Sequence, residues 1–206
     1  VWLVGHDKGI LGHVGDSRLY VARAGGIYQL SEDHTYVNEL LKRGAITREQ
    51  SKDHPQGNVL SRALGVQPSV AIDTMIFDTD PGDTYMLCSD GLYNYYEESE
   101  EILKSLVQEE LNEGLNELIT TALERGGHDN ITVITLRIVD PPAAETKSVA
   151  ARERIEILKQ IPIFAHLNYH ELVRVLGLTQ LLAINEGEEF IQEGEQGNEM
   201  YVLLTG

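Results

Sequence analysis

The sequence predicts an α+β fold built from short strands and helices, followed by a second, smaller unit. Three observations lead there. Short β-prone runs alternate with Gly-containing turns over the first thirty residues. Two helical segments, 98–108 and 115–124, stand between the apolar strands 84–88 and 131–138. Asp140-Pro141-Pro142-Ala143-Ala144-Glu145-Thr146 then interrupts all periodicity before a helix resumes.

In chain order, residues 10–14 and 18–24 read as strands, and Gly25-Gly26 turns the chain into a third at 27–30. Tyr36, Val37, Leu40 and Leu41 recur at helical spacing until Gly44, and Thr47 is expected to cap a short helix beginning there. Strand character returns at 70–77. Asp80-Pro81-Gly82-Asp83 supplies a turn, Pro fixing φ and Gly giving freedom, and feeds the strand 84–88. The β-branched run 131–138 is expected to be covered on both faces. A helix is expected over 149–160, broken at Ile161-Pro162. Asn168 with Glu171 forms a capping box for a helix through Leu176. Strands are expected near 181–184, 189–192 and 201–204. The domain map is therefore 1–139, a linker at 140–148, and 149–206. Both ends have the character of interrupted strands, so the chain is expected to be a piece of a longer protein.

Composition excludes several function classes. A hydrophobic share of 42% and a charged share of 24% are those of a globular protein. The net charge of −17 argues against nucleic acid and against anionic membrane surfaces, whose binding relies on Lys and Arg. No stretch approaches the ~20 apolar residues of a membrane span, and a cytoplasmic location is expected. The one cysteine, Cys88, sits in the apolar run Tyr85-Met86-Leu87-Cys88 and reads as a small buried hydrophobe.

Three acidic positions carry the chemistry: Gly15-Asp16-Ser17-Arg18, Ser89-Asp90-Gly91 and His128-Asp129-Asn130. Each sits at a junction of strand and turn, where a carboxylate is held rigidly and small neighbours let a ligand approach. Any one of them alone is most simply a turn. Together they offer an oxygen-only donor set, which suits Mg²⁺ or Mn²⁺ better than zinc. His6-Asp7 reads as part of a hairpin turn, His13 as a packed histidine and His128 as a turn residue.

Taken in order, these segments resemble the metal-dependent protein phosphatases of type 2C, in their bacterial form. The matching stretches are His13-Val14-Gly15-Asp16-Ser17-Arg18-Leu19-Tyr20, Leu30-Ser31-Glu32-Asp33-His34-Thr35, and His54-Pro55-Gln56 with Leu60-Ser61-Arg62-Ala63-Leu64-Gly65. Gly82-Asp83 with Leu87-Cys88-Ser89-Asp90-Gly91-Leu92, and Asp129-Asn130-Ile131-Thr132-Val133, complete the set. The resemblance implies an αββα sandwich of two antiparallel sheets with helices outside, and two, or with a weaker site three, Mn²⁺ or Mg²⁺ ions. It implies that Asp90 and Asp129 are ligands of the binuclear centre and that Asp16 helps hold the third ion. Asn58 falls where several relatives place a Ser near that third ion, and is a weaker candidate. Residues 36–55 match the flap over the active site.

The activity implied is hydrolysis of phosphoserine or phosphothreonine on protein substrates by metal-activated water. The family's bridging Asp, its phosphate-binding Arg and its general-acid His all match positions upstream of Val1. The sequence as it stands is therefore expected to be inactive alone, and a non-catalytic, phosphoprotein-binding relative is the alternative reading. The second unit is similar to cyclic nucleotide-binding domains through Leu158-Lys159, Ile161-Pro162-Ile163-Phe164, Leu167, Glu171-Leu172, Leu176, Gly187, Glu193-Gly194-Glu195, Gly197-Asn198 and Tyr201-Val202-Leu203-Leu204-Thr205-Gly206. That likeness implies a helix, the start of a β-roll, and regulation by cAMP or cGMP. The phosphate cradle would lie beyond Gly206.

Overall fold

The computed structural model describes residues 2–5, 8–52, 54–96, 99–139, 151–192, 194 and 196–205. Two antiparallel sheets form its centre. Strands β1 (Trp2–Gly5), β2 (Lys8–His13) and β5 (Asp73–Asp78) make one sheet, in the order β1-β2-β5. The other contains β3 (Arg18–Arg23), β4 (Gly26–Gln29), β6 (Thr84–Cys88) and β7 (Val133–Arg137), in the order β4-β3-β6-β7. The expected hairpin joins β3 to β4, with Gly25 at φ +79°, a conformation a side chain would resist.

Side-chain caps start some of the helices, and buried apolar faces carry the longer ones. α1 (Tyr36–Lys42) starts at Thr35, whose side chain accepts from the Asn38 N–H at 3.2 Å, and ends before Gly44 at φ +65°. α2 (Arg48–Lys52) begins after Thr47, whose Oγ1 accepts from the Gln50 N–H. α3 (Asp90–Tyr93) is a single turn that the sequence reading left out, and α4 (Ser99–Leu106) and α5 (Leu111–Glu124) complete the first part. The face of the β4-β3-β6-β7 sheet turned away from the other sheet packs Tyr20, Met86 and Cys88 against Ile102, Leu106, Leu118 and Ala122 of α4 and α5. Burying such side chains contributes about 1.5–3 kcal/mol each. The two-sheet α+β architecture expected from the sequence is present.

Beyond the undescribed residues 140–150 come α6 (Ala151–Gln160) and α7 (Tyr169–Leu176), the latter with the anticipated reciprocal capping box of Asn168 and Glu171. These helices join the intersheet core. Ala151, Ile155, Leu158, Leu172, Val173 and Leu176 cluster with Leu11, Leu19, Val21, Met75, Phe77 and Tyr85. They close the side of the sandwich bounded by the edge strands β5 and β4. Polar contacts fix the seat. Asp80 accepts from the N–H groups of Ala151 and Arg152, Arg154 pairs with Asp78 at 3.0 Å, and Tyr169 stacks on Tyr28 with ring centroids 3.8 Å apart.

Three sequence expectations need correction. Run 131–138 forms an edge strand covered on one face only. Ile134 and Leu136 lie exposed because, among the described residues, no further strand or helix covers that side. The strand expected over 70–77 begins only at Asp73, where pairing with β2 starts. Among the described residues, 181–184, 189–192 and 201–204 carry no strand ladder, so the start of a β-roll is not formed. A β-prone run becomes a strand only when a partner takes up its backbone groups, and Leu181, Leu182, Phe190, Ile191 and Leu203 stay exposed here. The expected linker 140–146 and the His6-Asp7 turn lie outside the described residues.

Candidate functional site

Sheet register brings the three acidic loops to one end of the sandwich. β3 and β7 both flank β6, with Arg18 opposite Cys88 and Cys88 opposite Val133. Asp16 lies two residues before the start of β3, Asp90 two residues after the end of β6, and Asp129 four residues before β7. Antiparallel pairing therefore places a strand start, a strand end and a second strand start side by side.

Side chains and backbone then lock the loops together. Ser89 N–H donates to Thr132 O at 3.0 Å, and the Ser89 hydroxyl donates to Asn130 O while accepting from Thr132 N–H, both at 3.0 Å. Gly91 permits the closest approach. A Cβ there would overlap the Asn130 carbonyl oxygen and lie 2.9 Å from its carbon and 3.4 Å from that of Asp129. Asp90 and Asp129 thus sit on loops in direct backbone contact. On the other side, Tyr93 of α3 donates its hydroxyl to Asp16 O at 3.0 Å.

The carboxylates are held by their own turns: Asp90 Oδ1 accepts from the Gly91 N–H at 2.9 Å and Asp129 Oδ1 from the Asn130 N–H at 2.6 Å. Partial burial, and then the charge of Asp90, push the Asp16 carboxyl above its ordinary value. Among the described residues, no group of three or more His, Cys, Asp or Glu side chains is gathered closely enough to hold an ion unaided. Asn58 is exposed in the turn following His54 and bonds none of the three aspartates.

Around the loops lies a polar frame that sequence reasoning quoted but gave no role. Arg18 makes a forked contact to Asp33, at 2.7 Å from Nη2 and 3.1 Å from Nε, and its guanidinium lies 3.5 Å from the Tyr93 ring centroid. His34 clasps the Gly15 peptide from both sides. The Gly15 N–H donates to His34 Nδ1 at 3.1 Å, and the His34 N–H donates to Gly15 O at 2.8 Å. The His34 ring proton therefore sits on Nε2, which donates to Asp73 at 3.0 Å. Arg62 binds Asp73 with both Nη atoms, at 2.6 and 3.2 Å, and holds that carboxyl well below the usual carboxylate range. The signal available in sequence was only that charged residues border apolar strands. Their partners lie 39 and 11 residues apart.

Comparison with known proteins agrees with this architecture. The family model for stage II sporulation protein E (SpoIIE) matches residues 26–139. The serine/threonine phosphatase stp of Listeria monocytogenes is 43% identical over 134 residues, covering 64% of this chain and 52% of that protein. The serine/threonine protein phosphatase PstP of Mycobacterium tuberculosis is 36% identical over 154 residues, 73% of this chain and 29% of that protein. This chain spans about half the length of the first of these and under a third of the second. Among solved structures, the Streptococcus agalactiae serine/threonine phosphatase matches with a TM-score of 0.62 and 39% identity, over 66% of this chain and 56% of that one. The catalytic domain of PstP in complex with two manganese ions matches with a TM-score of 0.58 and 34% identity, over 68% and 57%. The chain belongs to the SpoIIE/PPM-type family of bacterial serine/threonine phosphatases.

Proposed function

We propose that the protein containing this chain hydrolyses phosphoserine and phosphothreonine on proteins, and that Asp16, Asp90 and Asp129 contribute carboxylates to a centre of Mn²⁺ or Mg²⁺ ions. The observation that carries the reading is the convergence of three carboxylate loops at one sheet end, with Asp16 and Asp90 near enough to raise the Asp16 carboxyl. Like charges gathered in a half-buried place are costly without a cation, and oxygen-only donors suit hard ions. The described residues supply part of a ligand set. Asn58 stays a weaker candidate, on the resemblance alone.

Bound divalent ions would supply a water of lowered pKa and neutralise charge on the phosphoryl group. The chain's own residues supply rigidity. Ser89 and Gly91 fix Asp90 against the Asp129 loop, Tyr93 anchors the Asp16 backbone, and Arg18, occupied by Asp33, braces Tyr93. Asn is a neutral, poorer ligand that retains turn chemistry, so Asp90→Asn and Asp129→Asn separate a metal role from a structural one. In the full-length protein each should weaken Mn²⁺ binding by calorimetry and cut phosphopeptide turnover by orders of magnitude, with the fold intact. Unchanged affinity and turnover in both would sink the assignment.

For residues 151–205 we infer a regulatory role, on the resemblance of their motif residues to cyclic nucleotide-binding domains. The nucleotide part of that inference rests on the motif residues alone. Equilibrium binding of cAMP and cGMP to the full-length protein tests it, and absence of binding to both would leave a docking role only.

A further inference from the structure

The loop that carries Asp16 does not stand alone. Gly15 adopts φ +107°, a conformation only glycine takes up readily, and its peptide is clasped at N–H and C=O by the buried His34. His34 is also where the excursion of residues 36–59 returns to the body. The Tyr36 N–H donates to Val59 O and the Ser61 N–H to His34 O, both at 2.8 Å, and Thr35 bridges Leu60. Arg62, one residue past Ser61, grips Asp73 and also donates to Ala71 O at 3.2 Å. Asp73 receives the His34 Nε2–H and is aligned by β-pairing opposite His13. An unbroken chain of directional bonds thus runs Arg62–Asp73–His34–Gly15 and ends one residue from Asp16.

We propose that Arg62, Asp73 and His34 are positioning residues that couple the base of the 36–59 excursion to the Asp16 loop, setting metal affinity there. The inference rests on the reading of Asp16 as a metal-side carboxylate. His34 acts as a two-ended connector because one ring nitrogen accepts while the other donates. Asp73 fixes the ring's tautomer and tilt, the part an outer carboxylate plays toward a metal-binding histidine, applied here to a backbone amide. Arg62 supplies a planar fork that a lysine cannot reproduce.

The test uses the full-length protein with two readouts: amide hydrogen exchange at Gly15, and calorimetric titration with Mn²⁺. Arg62→Ala should speed Gly15 exchange and weaken Mn²⁺ binding roughly three- to tenfold, the size of one ordinary hydrogen bond's net contribution. Arg62→Lys should fall between it and wild type. His34→Gln keeps one acceptor and one donor and should stay within about twofold of wild type, whereas His34→Leu should exceed Arg62→Ala. Rescue by Gln is the outcome a purely packing role would not give. Wild-type exchange and wild-type affinity in Arg62→Ala would overturn the relay, as would faster exchange with unchanged affinity. A wild-type protein that takes up no Mn²⁺, while Gly15 exchange still responds to Arg62→Ala, would instead overturn the metal reading and with it the relay's consequence.

Discussion

Gly91→Ala is the most economical test of how the two strand-end loops depend on one another. The added methyl would overlap the Asn130 carbonyl oxygen and approach its carbon to 2.9 Å, about half an ångström inside ordinary contact. The obstacle is backbone, so nothing can rotate aside, and the Asp129–Asn130 loop must move by up to about 1 Å. Overpacking of this kind costs about 1–3 kcal/mol of stability, and misplacing catalytic groups by about 1 Å costs about a hundredfold in rate. The full-length Gly91→Ala protein should therefore melt a few degrees lower, bind Mn²⁺ about tenfold or more weakly, and turn over a phosphopeptide about a hundredfold more slowly. Gly114→Ala is the control: its methyl would strike the Ser105 carbonyl, between α4 and α5, away from the aspartates. That variant should lose stability while keeping wild-type Mn²⁺ affinity. Equal metal affinity in Gly91→Ala and wild type, with the melting shift present, would refute the claim that Gly91 sets the spacing of Asp90 and Asp129.

Further outcomes follow from burial and charge. Leu172 of α7 is fully buried in the intersheet core, so Leu172→Ala should cost about 2–5 kcal/mol and lower the same cooperative transition as Leu19→Ala; an effect confined to a separate transition would contradict the shared core. His13 is buried beside His34, and burial first, then that neighbour, lower its pKa. The unfolded chain then takes up the proton first, so this contribution is fully present above about pH 6.5 and declines as pH falls below it. His13→Gln should flatten the fall in urea midpoint between about pH 7 and 5, and an unchanged slope would count against it. The Cys88 thiol, buried in β6 and pushed up to about 12 by that burial, should resist iodoacetamide at about pH 8 in the native state and react fully in urea. Rapid native labelling would show β6 opening.

Local chemistry was the legible part of this sequence. Thr84–Cys88 was readable because Asp80-Pro81-Gly82-Asp83 announces it, and the cap of α7 because Asn168 and Glu171 stand three residues apart. The three aspartates were readable as strand-end carboxylates, but only pairing of β3 and β7 onto β6 makes them neighbours. Apolar spacing showed that α6 and α7 bury a face without saying against what; the answer, the space between β5 and β4, is set by contacts more than 70 residues apart in sequence. Exposure of Ile134 was hidden for the same reason, since a β-branched run reads alike in a central and an edge strand.

The closure of the chain at Thr35 and Leu60 has a consequence for how such a protein can diversify. Residues 36–59 leave and rejoin the sandwich at one point, closed by two backbone bonds and steadied at their start by Asn38, whose amide donates to Asp33 O at 2.8 Å. Doubling the length of such an excursion costs only about 0.6 kcal/mol in closure entropy. It is thus an interchangeable cassette. Substitutes that keep Asn38 and the two end bonds, longer or differently charged, can be spliced in while the strands beneath keep their registration.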